Sequence, residues 1–143
     1  WGMVLPRFVQ AALDGSPLLV YGTGDQTRCF CDVRDVVDVL PRFLSEGNVF
    51  GSVVNVGRDS MISISELARL VVDVLGSDSP IENISYEKAY GRSIEDMIHR
   101  RPDISRLTSC FDFTPRFGLE QTIRDLADSI SDQSSNHVAG NGR

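Results

Sequence analysis

The run Ser63-Ile64-Ser65-Glu66, followed by Leu67, Leu70, Val71, Val74 and Leu75 and closed by Gly76, constrains the fold more than any other stretch. Ser63 and Glu66 fit a capping box, in which hydroxyl and carboxylate each satisfy a free amide of the first turn. The apolar spacing behind them predicts one amphipathic helix ending at the glycine. On either side the pattern alternates. Leu5, Phe8, Val9, Ala12 and Leu13 recur at helical spacing, with Pro6 in a first turn and Gly15 suited to an end. Leu18 to Tyr21 reads as a short buried strand, and Arg28 to Val33 as a second one. From Asp35 a helix is predicted through Val36, Val37, Leu40 and Leu44, with Pro41 kinking or shortening it.

Further on, Val53 to Val56 is a strand candidate closed by Gly57, and Ile81 to Tyr86 another. Glu87 to Arg101 reads as a charged loop, and Asp103 as the cap of a short helix through Leu107. Leu119, Ile123, Leu126, Ala127 and Ile130 mark a last amphipathic helix. Gln133 to Arg143 is polar and glycine-rich, with little to bury, so disorder is expected there. The expectation is one region over residues 1–132 and a polar tail over 133–143. Alternating strands and helices indicate an α/β class, yet the strands are few and short for a closed three-layer fold.

Charge and cysteine content narrow the partners. A net charge of −6 argues against general nucleic-acid binding, which needs a basic face, but leaves room for one small anion held by converging arginines. The three cysteines, Cys29, Cys31 and Cys110, form no disulfide framework, and with only His99 and His137 beside them no metal-ligand spacing emerges. Strand cysteines of this kind suit a reducing compartment, and the cytoplasm is the expected location. No apolar run is long enough for a membrane span. Trp1 is no initiator, so a piece of a longer protein is expected.

Two clusters carry possible chemistry. In Tyr21-Gly22-Thr23-Gly24-Asp25-Gln26-Thr27-Arg28 the glycines permit a bend and a close approach to a ligand. Gln26 offers a donor and an acceptor to a base edge or ribose, and Arg28 offers a fork of donors matching phosphate oxygens. A hairpin turn with an exposed arginine is the plainer alternative. In Arg100-Arg101-Pro102-Asp103-Ile104 two arginines precede a rigid turn, again suiting phosphate, with a solvated loop as the plainer reading. Taken together, the two clusters would clamp a pyrophosphate from two sides.

These elements, in order and at matching approximate spacing over roughly residues 2–131, resemble the C-terminal portion of the NAD-dependent epimerase/dehydratase family, the extended short-chain dehydrogenase/reductases. The resemblance rests on Gly2 to Phe8, Leu18 to Arg28, Asp35-Val36-Val37, Val54-Asn55-Val56-Gly57, Ser63 to Leu67 and Arg100 to Ser105. It implies a Rossmann-type α/β fold of short strands and amphipathic helices, with the N-terminal dinucleotide-binding half missing. It also implies that Arg28 and Arg100 contact a nucleotide diphosphate, that Tyr21 and Gln26 lie near the base or ribose, that Asn55 is a weaker contact, and that Arg101 faces solvent. Departures are Cys29-Phe30-Cys31-Asp32, where Asp32 is an odd polar insertion, and Pro41.

In this family NAD sits on a glycine-rich turn at a helix N-terminus, and a tyrosine and a lysine four residues apart serve proton transfer. Gly22-Thr23-Gly24 precedes a strand and lacks a third glycine. Tyr21, Tyr86 and Tyr90 have Asp25, Tyr90 and Ile94 at the required offset. No catalytic or cofactor residue is therefore assigned, and NAD is expected on the missing half. The leading expectation is the sugar-nucleotide-binding part of an enzyme most like a UDP-glucose 4-epimerase. UDP-glucuronate decarboxylase and dTDP-glucose 4,6-dehydratase are the alternatives within the family, with a non-catalytic binding module or a ligand-free remnant outside it. The expected partners are a nucleotide-diphosphate sugar and the Rossmann half, with homodimerisation of the longer protein left open.

Overall fold

The computed structural model describes residues 3–45, 49–91 and 96–139 of the chain. The elements run α1 (Val4–Leu13), β1 (Leu18–Tyr21), β2 (Thr27–Cys29), α2 (Val33–Val39), α3 (Arg42–Ser45), β3 (Met61–Ser63), α4 (Ile64–Leu75), β4 (Ile81–Ile84), α5 (Tyr86–Tyr90), α6 (Ser105–Phe111) and α7 (Leu119–Ala139). Among the described residues the strands form two separate pairs. β1 lies parallel to β4, with Leu18 opposite Ile81, and β2 lies antiparallel to β3, with Arg28 opposite Ile62.

The capping box is formed as the sequence predicts. Ser63 Oγ accepts from Glu66 N at 3.1 Å, while Glu66 Oε2 accepts from Ser63 N at 3.0 Å. These bonds hold the Glu66 carboxyl below its usual range, the Ser63 amide first and its hydroxyl next. At the other end Gly76 takes a left-handed φ of 60°, which closes the helix without the penalty a Cβ would bring. The buried face of α4, Leu67, Ala68 and Val71, meets Phe8 and Val9 of α1, Leu18 and Val20 of β1 and Ile123 of α7 in the main core. Each of the larger side chains contributes about 1.5–3 kcal/mol by leaving water. A second core lies under α2 and α6, where Phe43 stacks against Phe111 at 4.4 Å beside Val39 and Leu107.

Several elements depart from the sequence expectation. The second strand ends at Cys29 instead of Val33, because Asp32 turns the chain. Its side chain caps α2 by accepting from Arg34 N, so the helix starts at Val33, ahead of Asp35. The polar insertion is thus a helix cap. As expected, Pro41 breaks the helical run, leaving α2 and α3 on either side. Val53 to Val56 has the composition of a strand but is irregular and pairs with no strand among the described residues. The strand opposite β2 is instead Met61–Ser63, a segment too short to show a period.

The fourth strand stops at Ile84 instead of Tyr86, since Ser85 caps α5, which runs on into the stretch read as a loop. Residues 92–95 of that stretch lie outside the described residues, and Ile94 with them. Asp103 Oδ1 accepts from Ser105 N at 2.9 Å at the start of α6, which extends past Leu107 to Phe111. Finally, α7 continues to Ala139, so 133–139 is helical where composition suggested an irregular tail; 140–143 lie outside the described residues. Nothing from 133 to 139 is glycine or proline, and an established helix propagates cheaply through such residues.

Candidate functional site

The Gly22–Arg28 segment is not a hairpin turn, because β1 and β2 belong to different sheets. It is a crossing between them, pinned from several sides. Gly22 N donates to Ile84 O at 2.8 Å, Asn83 Nδ2 donates to Gly22 O at 3.0 Å, and Ser65 N donates to Gly24 O at 3.0 Å. Gly22 and Gly24 have φ of 68° and 78°. A Cβ on Gly22 would come within 2.8 Å of Tyr86 Cε2, and one on Gly24 would strike Ser65 Oγ and Val20 Cγ1. The glycines therefore admit close packing of the protein on itself, rather than the approach of a ligand expected from sequence.

The side chains of the segment converge on one network. Gln26 Nε2 donates to Tyr21 O at 2.9 Å and to Tyr86 Oη at 3.2 Å. Tyr86 Oη donates to Asp96 Oδ2 at 3.0 Å. Asp96 Oδ1 accepts from Arg28 Nη2 at 2.7 Å, and Arg28 Nη1 donates to the carbonyls of Thr27 and Met97 at 2.7 and 2.9 Å. The Arg28 side chain keeps only 13% of its surface exposed. The ring of Tyr21 meets Tyr86 edge-on at 6.4 Å, and the Arg7 guanidinium lies 4.4 Å from the Tyr21 centroid. A groove of about 380 Å³ lined by Arg7, Leu19 and Tyr21 opens beside this ring.

The second arginine cluster comes alongside through backbone pairing. Thr27 N donates to Ile98 O at 2.8 Å, and Thr27 bridges His99 in parallel register, with the Thr27 hydroxyl 3.0 Å from His99 Nδ1. Arg100 stands one residue beyond the bridge, as Arg28 does on β2, and is exposed. Asn55 Nδ2 donates to Asp103 O at 3.0 Å, so Asn55 braces the turn after Arg100. Arg101 points elsewhere, pairing with Asp59 at 2.6 Å with 56% of its side chain exposed. That pairing lowers the Asp59 carboxyl and raises the Arg101 guanidinium.

Tyr21, Gln26, Arg28 and Arg100 thus gather along one edge, with Asn55 behind the last. Sequence reasoning missed Tyr86 and Asp96, which join them. No motif marks either residue, and the contacts span 60 and 68 positions. Burial pushes the Cys29 and Cys31 thiols up, away from the thiolate form. No group of three metal-ligating side chains occurs among the described residues. Nor is any helix there long and apolar enough to cross a membrane.

Known proteins resemble this chain in sequence and in fold. The model of the NAD dependent epimerase/dehydratase family matches residues 2–57. The chain is 38% identical over 122 residues to a UDP-N-acetyl-α-D-glucosaminuronate decarboxylase of Bacillus cytotoxicus, spanning 85% of this chain and 38% of that protein. These matches support assignment of the chain to the NAD-dependent epimerase/dehydratase family. Its α/β fold is that of the extended short-chain dehydrogenase/reductases. It superposes on a UDP-N-acetylglucosamine 4-epimerase of Methanobrevibacter ruminantium, in complex with UDP-N-acetylmuramic acid, with a TM-score of 0.76 and 28% identity, covering 93% of this chain and 40% of that one. The fold also matches a UDP-glucuronic acid 4-epimerase of Bacillus cereus, in complex with UDP-glucuronic acid and NAD, at a TM-score of 0.79 and 21% identity over 92% and 40% of the two chains. The chain thus spans about two fifths of the length of the relatives it matches.

Proposed function

We propose that this chain is the sugar-nucleotide-binding portion of an NAD-dependent nucleotide-sugar epimerase or dehydratase, with Arg28 and Arg100 holding the diphosphate. The observation that carries the reading is the parallel bridge between Thr27 and His99, which aligns the two arginines on one edge. Arginine's planar fork matches phosphate oxygens, and two such groups side by side suit a pyrophosphate. Tyr21 and Gln26, joined by a 2.9 Å hydrogen bond, are the residues assigned to the base or ribose, and Asn55 holds the Arg100 turn in place. UDP is the favoured nucleotide, because all three relatives named above carry UDP-linked substrates or ligands in their names.

NAD does not fit this chain's own residues. The space over Gly22 and Gly24 is filled by Tyr86 and Ser65, and the segment leads into a strand instead of a helix N-terminus. The chain also has no Tyr-x-x-x-Lys pair. Its contribution is to fix the nucleotide and aim the sugar, a positioning role. Hydride and proton transfer then belong to the remainder of a longer protein.

A UDP-glucose 4-epimerase and a uronate decarboxylase both fit this role. The 38% identity to a decarboxylase of a UDP-linked uronate favours the second reading for the whole protein. Calorimetry with UDP, UDP-glucose, UDP-glucuronate and dTDP-glucose tests the proposal. Saturable binding that weakens at least tenfold in both Arg28→Ala and Arg100→Ala is expected. A folded chain that binds none of them would point to a ligand-free remnant instead.

A further inference from the structure

We infer that Tyr86 and Asp96 are positioning residues of the diphosphate site, acting through Arg28; the inference rests on the function proposed above. Arg28 is the longest and most flexible side chain of the Gly22–Arg28 segment, and a flexible guanidinium loses rotamer entropy whenever it grips an anion. Here that entropy is already spent. Nη1 is fixed by the carbonyls of Thr27 and Met97, and Nη2 by Asp96 Oδ1 at 2.7 Å. Two of the guanidinium's five N–H groups remain outside these bonds, enough for a bidentate contact with phosphate.

Asp96 is itself held. Its second oxygen accepts from Tyr86 Oη at 3.0 Å, and neither Asp96 nor Met97 lies in a helix or strand. Tyr86 is well placed to act as the fixed point. It begins α5, whose N-cap Ser85 accepts from Lys88 N, and its ring packs over Gly22 and against Tyr21. Its hydroxyl also accepts from Gln26 Nε2 at 3.2 Å. One side chain thereby sets the positions of the residues assigned to the base or ribose and of the arginine assigned to the phosphates. The chain of contact runs from Tyr86 to Asp96 to Arg28.

Tyr86→Phe tests this, because it keeps the ring packing and removes only the hydroxyl. Gln26 keeps its 2.9 Å bond to Tyr21 O, so the nucleoside end should change little. UDP affinity is expected to fall about fivefold, the worth of one ordinary hydrogen bond. Uridine binding, followed by saturation-transfer NMR, should change less than twofold. The thermal midpoint of the variant reports whether it remains folded. Asp96→Ala should also weaken UDP more than uridine, and adding Tyr86→Phe to it should cost nothing further for UDP, as expected of two residues acting in series. Equal UDP affinity of wild type and Tyr86→Phe, or equal losses for UDP and uridine, would overturn the inference while leaving the proposed function standing. Absence of UDP binding by the wild-type chain would overturn both.

Discussion

Replacing Asp32 by alanine should destabilise the chain by about 3 kcal/mol, and the figure can be assembled from its contacts. Asp32 is 6% exposed and joins the start of α2 to α7. As the cap of α2 it accepts from Arg34 N at 2.9 Å, an interaction worth about 1 kcal/mol. The Thr122 hydroxyl of α7 donates to it at 2.7 Å, and a hydrogen bond to an ionised group contributes about 1.5 kcal/mol. The Arg34 guanidinium donates at 2.8 and 2.7 Å, but its side chain is 41% exposed, so solvent screening limits that pair to about 0.5–1 kcal/mol. Arg34 keeps its ion pair with Asp125 and its stack on Phe117, which cushions the loss.

For a domain of this size about 3 kcal/mol corresponds to a fall in Tm of roughly 10 °C. Circular-dichroism melts and urea titrations of both proteins measure it. The acid dependence adds a second check. Arg34's hydrogen bonds, chiefly, hold the Asp32 carboxyl well below the usual carboxylate range. Its contribution is therefore complete above about pH 4, where an unfolded aspartate ionises, and is lost as pH falls through the folded value. The gap between wild type and variant should narrow on acidification below about pH 4. A variant within 0.5 kcal/mol of wild type, or a gap that widens in acid, would refute the reasoning.

Ser63→Ala removes the α4 capping box and should cost about 1 kcal/mol by chemical denaturation; because Glu66 is held below its usual range, that cost should also diminish toward low pH. Gly24→Ala combines a left-handed φ with a collision against Val20 and Ser65, and a loss of about 3 kcal/mol in the same assay is expected. Arg101→Ala, which breaks only an exposed pair with Asp59, should leave UDP affinity within about twofold of wild type by calorimetry.

Much of the helical framework was legible because helices advertise themselves locally. The capping box at Ser63 and Glu66, the glycine stop at Gly76 and the break at Pro41 all act within one or two turns, and all stand where the spacing put them. The short strands were harder. Met61–Ser63 is too brief for a period, while Val53 to Val56 looks like a strand but pairs with none among the described residues. Asp32 looked misplaced in a strand because the strand had already ended; its role depends on Arg34 and Thr122, the latter 90 positions away. At the candidate site, Arg28 and Arg100 were visible as chemistry-bearing residues in motifs. Tyr86 and Asp96 were not, since a tyrosine opening a short helix and an aspartate in a charged loop carry no local signal. Only the fold brings them to Arg28.

The most direct test of the central claim is the affinity of this chain for UDP, measured by calorimetry before and after Arg28→Ala, with melts to establish that both are folded. The account predicts saturable one-to-one binding by the wild type and a loss of at least tenfold in the variant, since a charge-assisted contact to phosphate is worth about 1.5–3 kcal/mol. Binding unchanged by Arg28→Ala, or no binding by the folded wild-type chain, would contradict it.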